Sequence, residues 1–331
     1  MTPSAASTPI VRAVPHLAWN LAAGLVLLLF LSLLVGAAGF GLPGDAAALI
    51  VAEIRLPRGL LAALVGAALA TSGAALQGYL RNPLAEPGVI GISSGAGLGA
   101  VIAIHTGASS ALALALPFGG LIGAALATIL VLILAGRHGG ALTLILSGVA
   151  VGSAATALMS LALSLAPNPF AAVEIVFWLL GSIADRSMEH VWLSAPFILL
   201  GIGLLLRLGT GLDALALGED GARNLGISVG SLRLGVVMGS ALAVGAATAV
   251  AGTIGFVGLI VPHVLRPWVG HQPSRLLPVS ALGGAILVLL ADIFVRIITP
   301  AGELRLGVLT ALIGTPLFLW LVVDTRRSLV P

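Results

Sequence analysis

Few side chains in this sequence can do chemistry, and their spacing speaks against catalysis. Gly91-Ile92-Ser93-Ser94-Gly95 fits G-x-S-x-G, the sharp turn that exposes a serine nucleophile between a strand and a helix. Here the motif opens an apolar helical pattern, and 44 glycines make chance matches common. Close helix packing through small residues, continued by Gly99, is the simpler reading. The histidines at 16, 105, 138, 190, 263 and 271 form no HExxH or other close ligand pair, and cysteine is absent. Neither a metal centre nor a thiolate nucleophile is expected. His263 lies three residues before Arg266, so a helix puts them on one face, as an interfacial pair or a contact for a passing ligand.

The arginines say more. Lysine does not occur, so all 15 basic side chains are arginines, and a Walker A loop with its phosphate-binding lysine is excluded. Arg55 and Arg58 flank Pro57, a residue suited to the first turn of a helix, and are expected to project at the mouth of a span. Asp292 and Arg296 stand four apart and can pair along one helical face. Charges inside a span are costly, so they are either paired or functional.

Helices in lipid must position these groups. The chain is 59% hydrophobic and 8% charged, against about 25% charged in soluble domains. A single all-α membrane domain, 1–331, is expected. About ten stretches are long and apolar enough to cross a bilayer. They lie near 17–39, 58–80, 89–106, 112–135, 141–165, 191–208, 228–250, 256–269, 277–298 and 306–324, the third and eighth being short or interrupted. The run from Leu17 to Gly39 is longer than a secretory signal core and reads as an uncleaved first span behind a tail, 1–16. With both termini cytoplasmic, Arg12, Arg81, Arg137, Arg207, Arg223, Arg233, Arg266, Arg275, Arg326 and Arg327 fall inside. Arg55, Arg58, Arg186, Arg296 and Arg305 fall outside, which makes these five of interest.

The polar stretch 209–227 holds Asp213, Glu219, Asp220 and Arg223 between leucines. It suits one or two short helices lying on the inner face, either as an ordinary amphipathic loop or as a surface that receives force from a motor. Segments 58–165 and 228–324 each contain four spans with a short second span, and they enter the membrane from opposite sides. Such inverted four-helix halves with broken helices are a transporter design.

Four stretches together resemble the FecCD family of permeases: RLPRGLLAALVGAALATSGAALQGYLRNPLAEPGVIGISSGAGLGA (55–100), LGEDGARNLGI (217–227), GTIGFVGLIVPHVLRPWVG (252–270) and ADIFVRIITPAGELRLGVLTALIGTPLFLWLVV (291–323). The resemblance covers most of the chain beyond residue 45. It implies the type II ABC importers of ferric siderophores, haem and vitamin B12, in the bacterial inner membrane. It further implies a homodimer of ten-helix subunits with the path on the two-fold axis, two copies of a cytoplasmic ATPase and a periplasmic binding protein. The chain itself is then no enzyme and holds no permanent cofactor, with ATP on its partner.

Residue by residue, the resemblance gives Arg55, Arg58 and Arg296 to binding-protein docking. It gives Leu215, Leu217, Gly218, Ala222, Leu225 and Gly226 to the ATPase contact, and Asn82 and Leu84 to the gate. Ser147, Ala150, Ser153 and Met159 of the fifth span, with the tenth span, would line the path. Two departures are Arg305, where the family often has proline, and the GHQPSR linker that carries His271. A lining without arginine, with Met159 on it, leans towards haem as cargo, ahead of ferric siderophore and cobalamin. The competing class is an ATP-independent secondary transporter, which usually needs a titratable group near the midplane. Asp292 and Glu174 are expected nearer an outer face. A membrane hydrolase would depend on Ser93 alone.

Overall fold

The computed structural model describes residues 9–36, 39–41, 47–137, 139–299 and 304–329, so residues 1–8 of the expected tail and His138 lie outside the described residues. The chain is helical almost throughout. Helix α1 (Pro9–Leu34) ends in a minimal antiparallel ladder, β1 (Val35–Gly36) with β2 (Gly39–Phe40). One turn, α2 (Ala47–Ile50), and a π-turn (Val51–Arg55) run straight into α3 (Leu56–Leu80). A 3-10 turn (Pro87–Ile90) precedes the short α4 (Ile92–His105), and a single turn, α5 (Ala108–Ala111), leads to α6 (Ala115–Ala135). Next come α7 (Ala141–Ser164), α8 (Pro169–Leu179), α9 (Met188–Arg207), α10 (Gly209–Leu215) and α11 (Glu219–Asn224). Helices α12 (Val229–Ala251), α13 (Val257–Leu265) with a 3-10 turn (Arg266–Val269), α14 (Pro273–Ile298) and α15 (Leu306–Leu329) complete the bundle.

All ten expected spans are present as helices. Seven of the described helices are long and apolar enough to cross a membrane, with α4, α13 and the described part of α15 shorter. The first span starts and stops earlier than expected: α1 begins at Pro9, inside the stretch read as tail, and the chain turns back at 35–40. Helix α8 has no counterpart among the expected spans, because its 11 residues are too few to cross.

Helices α3 and α12 are buried nearly all round, and their sequences allow it. Helix α3 is a run of leucine, alanine and glycine and α12 one of alanine, valine and glycine, with no polar face to show to water. In lipid, where apolar burial alone brings no gain, helices associate by close backbone approach at small residues. A Cβ on Gly66 would lie 2.1 Å from the carbonyl oxygen of Gly284, which puts the backbones of α3 and α14 in direct contact. Between α4 and α6, a Cβ on Gly99 would lie 2.0 Å from Gly119 O, and one on Gly123 2.2 Å from Gly95 O. The glycines around Ser93 are therefore packing residues. Ser93 itself lies in the first turn of α4, and the chain before it is a 3-10 turn rather than a strand.

The two halves correspond in packing as well as order. Helix α3 packs on α13 and α14, and its counterpart α12 packs on α4 and α6. In each half, irregular chain precedes the short second helix: 81–91 before α4 and 252–256 before α13.

Candidate functional site

One face of the bundle is closed by α10 and α11. Helix α10 is seated firmly: Leu212 is fully buried against Gly78 of α3. The Asp213 carboxylate accepts the Ser274 N–H at 2.8 Å and Gln272 Nε2 at 3.0 Å. It thereby satisfies a free donor at the start of α14. Gly218, at φ +98°, breaks the chain between α10 and α11, and Gly226, at φ +79°, ends α11. Of the six residues expected to meet a partner here, Leu217 and Leu225 are 72% and 62% exposed. Leu215 and Ala222 are buried in this chain's own core. Arg223 pairs with Glu219 and Asp220 at 2.9 Å on the open surface, a contact worth well under about 1 kcal/mol. Arg233 ties the same face together by donating to the carbonyls of Gly136, Arg137 and Gly139 in the α6–α7 turn.

Between that face and the core, the irregular chains of the two halves meet. Asn82 Oδ1 accepts the Leu84 N–H at 2.9 Å, closing a side-chain turn just beyond α3. Gln77 Nε2 reaches both Ala85 O and Gly258 O, and Arg266 donates to Gln77 Oε1. Glu86 accepts the N–H of Phe256 at 2.7 Å, at the head of α13. Phe256 holds φ +67°, a strained value for a bulky side chain, and packs on Phe318 of α15 with ring centroids 6.5 Å apart. Sequence reasoning passed over Glu86 and Phe256. The available signal was the pair of proline-bracketed or glycine-rich breaks at matching places in the two halves.

Helix α7 supplies an open wall. Ala150, Ser153, Thr156 and Ser160 are exposed along it, and a groove of about 500 Å³ runs between this wall and Gly88, Val89 and Ser94. Thr156 and Ser160 donate to carbonyls one turn back, at 2.9 and 3.0 Å, so the hydroxyls are satisfied within the helix. Two of the four expected lining residues lie on the other side of the helix. Ser147 is buried and bonds Thr143 O, and Met159 is buried in a cluster with Trp178 and Ile175, because both lie on the side of α7 that packs against α4.

At the opposite face, α8 dips into the bundle and returns. Asn168 caps it by accepting the Ala171 N–H at 2.9 Å, and Pro169 takes the first helical position. At its inner end three backbones cross without side chains between them. A Cβ on Gly181 would lie 2.2 Å from Thr253 O, one on Gly252 2.3 Å from Trp178 O, and one on Gly307 2.3 Å from Leu180 O. The Ser182 N–H donates to Ala251 O at 2.7 Å, and the Gly307 N–H to Gly181 O at 3.2 Å.

Of the three arginines expected to act at this face, Arg58 and Arg296 share a packed network around Asp292, and Arg55 bonds separately to backbone carbonyls. Asp292, 1% exposed, accepts Arg58 at 2.8 Å on one oxygen and Arg296 on the other. Arg296 also donates to Ser32 O and Val35 O at 3.0 Å and to Ser32 Oγ at 2.6 Å. Arg55 holds Leu33 O and Gly41 O at 2.8 and 2.9 Å, beneath the β1–β2 turn. The guanidiniums of Arg55 and Arg296 tie the end of α1 to α3 and α14. Arg58, with 19% of its side chain exposed, is the one that reaches the surface. No group of three metal-ligating side chains exists among the described residues.

Comparison with known proteins agrees with this architecture. The chain is 43% identical to an uncharacterised ABC transporter permease protein, YvrB, of Bacillus subtilis, over 84% of this chain and 80% of that one. It is 40% identical to the vitamin B12 import system permease protein BtuC of Vibrio cholerae, over 84% of each. A solved structure described as an inward-facing metal-chelate type ABC transporter superposes with a TM-score of 0.86 at 35% identity, covering 94% of this chain and 99% of the other. Residues 24–324 match the FecCD transport family. That match spans nearly all of the chain and agrees with relatives at 40% identity or above and with a like-folded transporter, so the chain belongs to the FecCD transport family.

Proposed function

We propose that this chain is the permease subunit of an ATP-driven importer for a bulky metal chelate or corrinoid, working as a homodimer in the inner membrane. The observation that carries this reading is the platform of α10 and α11. It is braced to the core by Leu212, Leu215 and Ala222, and it presents Leu217 and Leu225 outward on a chain that has no phosphate-binding lysine. Exposed leucines flanked by polar residues suit a cytoplasmic ATPase partner that supplies the nucleotide chemistry. Both termini then lie in the cytoplasm. Gly218 and Gly226 let the platform tilt at its two ends, and Asn82, Leu84, Glu86 and Phe256 lie where the motion would open or close the way.

The path follows the wall of α7. Its exposed Ala150, Ser153, Thr156 and Ser160 carry no charge, and two of the hydroxyls are already bonded within the helix. Such a wall grips nothing, so selection falls to a periplasmic binding protein, for which Arg58 is the accessible anchor of the outer face. Haem loses its main support, because Met159 is buried rather than on the wall. The B12 permeases among the relatives favour a corrinoid at least as strongly.

The test is affinity capture of the tagged chain from its native membrane in mild detergent, with ATP hydrolysis measured on the eluate. An ATPase subunit should co-purify, and Leu217→Asp with Leu225→Asp should remove it while the permease keeps its own melting temperature. Uptake that persists in ATP-depleted vesicles would overturn the reading in favour of a secondary transporter.

A further inference from the structure

Helix α12 is gripped on two sides within its first two turns. On the platform side, a Cβ on Gly211 of α10 would lie 3.0 Å from Leu232 Cδ1. One on Gly235 would lie 2.9 Å from Leu208 Cδ1, at the junction of α9 and α10. Only residues 225–228 separate α11 from α12. The first turns of α12 are thus packed into the platform.

On the other side stands Arg233, buried although it carries a full charge. No carboxylate pairs with it among the described residues. One terminal nitrogen donates to Gly139 O, and the other to Gly136 O at 2.8 Å and Arg137 O at 2.9 Å. These carbonyls belong to the turn Gly136-Arg137-His138-Gly139-Gly140, which joins α6 to α7. Three glycines in five residues leave such a chain few preferences of its own. A guanidinium is a rigid fork of donors, and a charged donor bonds roughly twice as strongly as a neutral one. Three carbonyls on one fork therefore fix the turn against α12. Gly139 lies two residues before α7 begins at Ala141, so the clamp also sets where the wall helix starts. Farther along, α7 packs on α4, α6 and the 3-10 turn Pro87–Ile90.

We propose that Arg233 is the positioning residue that passes platform movement to α7, by making the α6–α7 turn, the first turns of α12 and the platform one body. The proposal rests on the permease reading and deepens it: it names the link through which a push on Leu217 and Leu225 shifts the wall of the path. Without the clamp, a turn this rich in glycine gives way at its own dihedrals before it moves a helix of 24 residues. Being buried, Arg233 meets neither the ATPase nor the cargo, and it acts through the backbone of the turn.

The experiment uses the full permease with its co-purified ATPase in lipid nanodiscs. The chain has no cysteine, so Ser153→Cys places a single thiol on the wall. Its rate of modification by a charged methanethiosulfonate is read from the mass of the permease chain, with and without ATP and vanadate. In the otherwise wild-type chain, trapping should change that rate. Arg233→Gln should abolish the change while ATP hydrolysis persists. Arg233→Lys keeps a cation with three donors and should restore part of it. A clamp that merely stabilises the fold would lower the melting temperature of Arg233→Gln and leave the response intact, and that result overturns the proposal. So does a wild-type wall that ignores trapping, and the ATPase retained in the disc then leaves the permease reading standing. Should Arg233→Gln fail to fold or to keep its ATPase, hydrogen exchange on the unmodified complex decides. Amides of 139–146 and of 215–225 should change protection together on trapping; a platform that changes alone overturns the proposal. Absence of any ATPase from the wild-type complex would overturn the permease reading instead.

Discussion

Asp292 is the residue whose removal should cost this fold most for the fewest atoms lost. Its carboxylate is 1% exposed and accepts both Nε and Nη2 of Arg58 at 2.8 Å, with Arg296 on the other oxygen. Replacing it with alanine leaves two guanidiniums facing each other with no counter-charge. Arg58 can turn to the surface. Arg296 cannot, because it is 5% exposed and pinned by Ser32 and Val35. Breaking a buried pair by deleting one partner costs about 3–5 kcal/mol, and the stranded Arg296 puts Asp292→Ala within that range. Arg58→Ala should cost less, about 1 kcal/mol, since it removes a half-open partner and leaves Asp292 with Arg296. The assay is equilibrium unfolding of the purified permease in mixed micelles by denaturing detergent, run as a double-mutant cycle with Arg296→Ala. A cost below about 1 kcal/mol for Asp292→Ala, or the absence of coupling between 292 and 296, would refute the network as a stabilising clamp.

Three further outcomes are expected. Gly73→Ala places a Cβ 1.9 Å from Gly258 O, backbone against backbone, so it should lower the melting temperature sharply or abolish insertion; near-wild-type melting would show that α3 and α13 are not in contact. Ser153→Trp should halt uptake into vesicles while ATPase assembly and melting stay unchanged, and normal uptake would place the path elsewhere. Arg58→Gln should weaken association with the binding protein at low salt and lose that effect at high salt, read by surface plasmon resonance; unchanged affinity would remove Arg58 from the docking surface.

The helices were legible in the sequence because lipid demands long apolar stretches, and α3, α6, α7, α9, α12 and α14 start and stop within a few residues of where hydropathy puts them. The pairing of Asp292 with Arg296 followed from spacing alone. Helix α8 was missed because 11 apolar residues meet no length criterion, although Asn168 and Pro169 mark its start. The burial of Arg55 and Arg296 was illegible for a different reason. Apart from Asp292 and the Ser32 hydroxyl, their partners are the carbonyls of Ser32, Leu33, Val35 and Gly41, which carry no side-chain signature and arrive only when the chain turns back after α1. The orientation of α7 was half legible: Ala150 and Ser153 face out, but Ser147 and Met159 do not, since a helix of small residues shows no polar stripe to fix its rotation.

Helix α12 begins one turn beyond the platform and ends at the opposite face of the bundle. Its first residue follows Ser228, just after α11, and its last carbonyls hold Ser182 and Arg186. Twenty-three residues at 1.5 Å each make a rod of roughly 35 Å. A rod buried all round from Ala243 to Ala251 and half-buried before that does not bend easily, so a tilt at one end appears as a tilt at the other. The side-chain-free crossing at Gly181, Gly252 and Gly307 then acts as a rigid coupling at the far end: α8 and the start of α15 ride with α12 instead of sliding past it. A push of a few ångströms against Leu217 and Leu225 would thus reach α8 and the start of α15 through a single lever, without a relay of side-chain rearrangements.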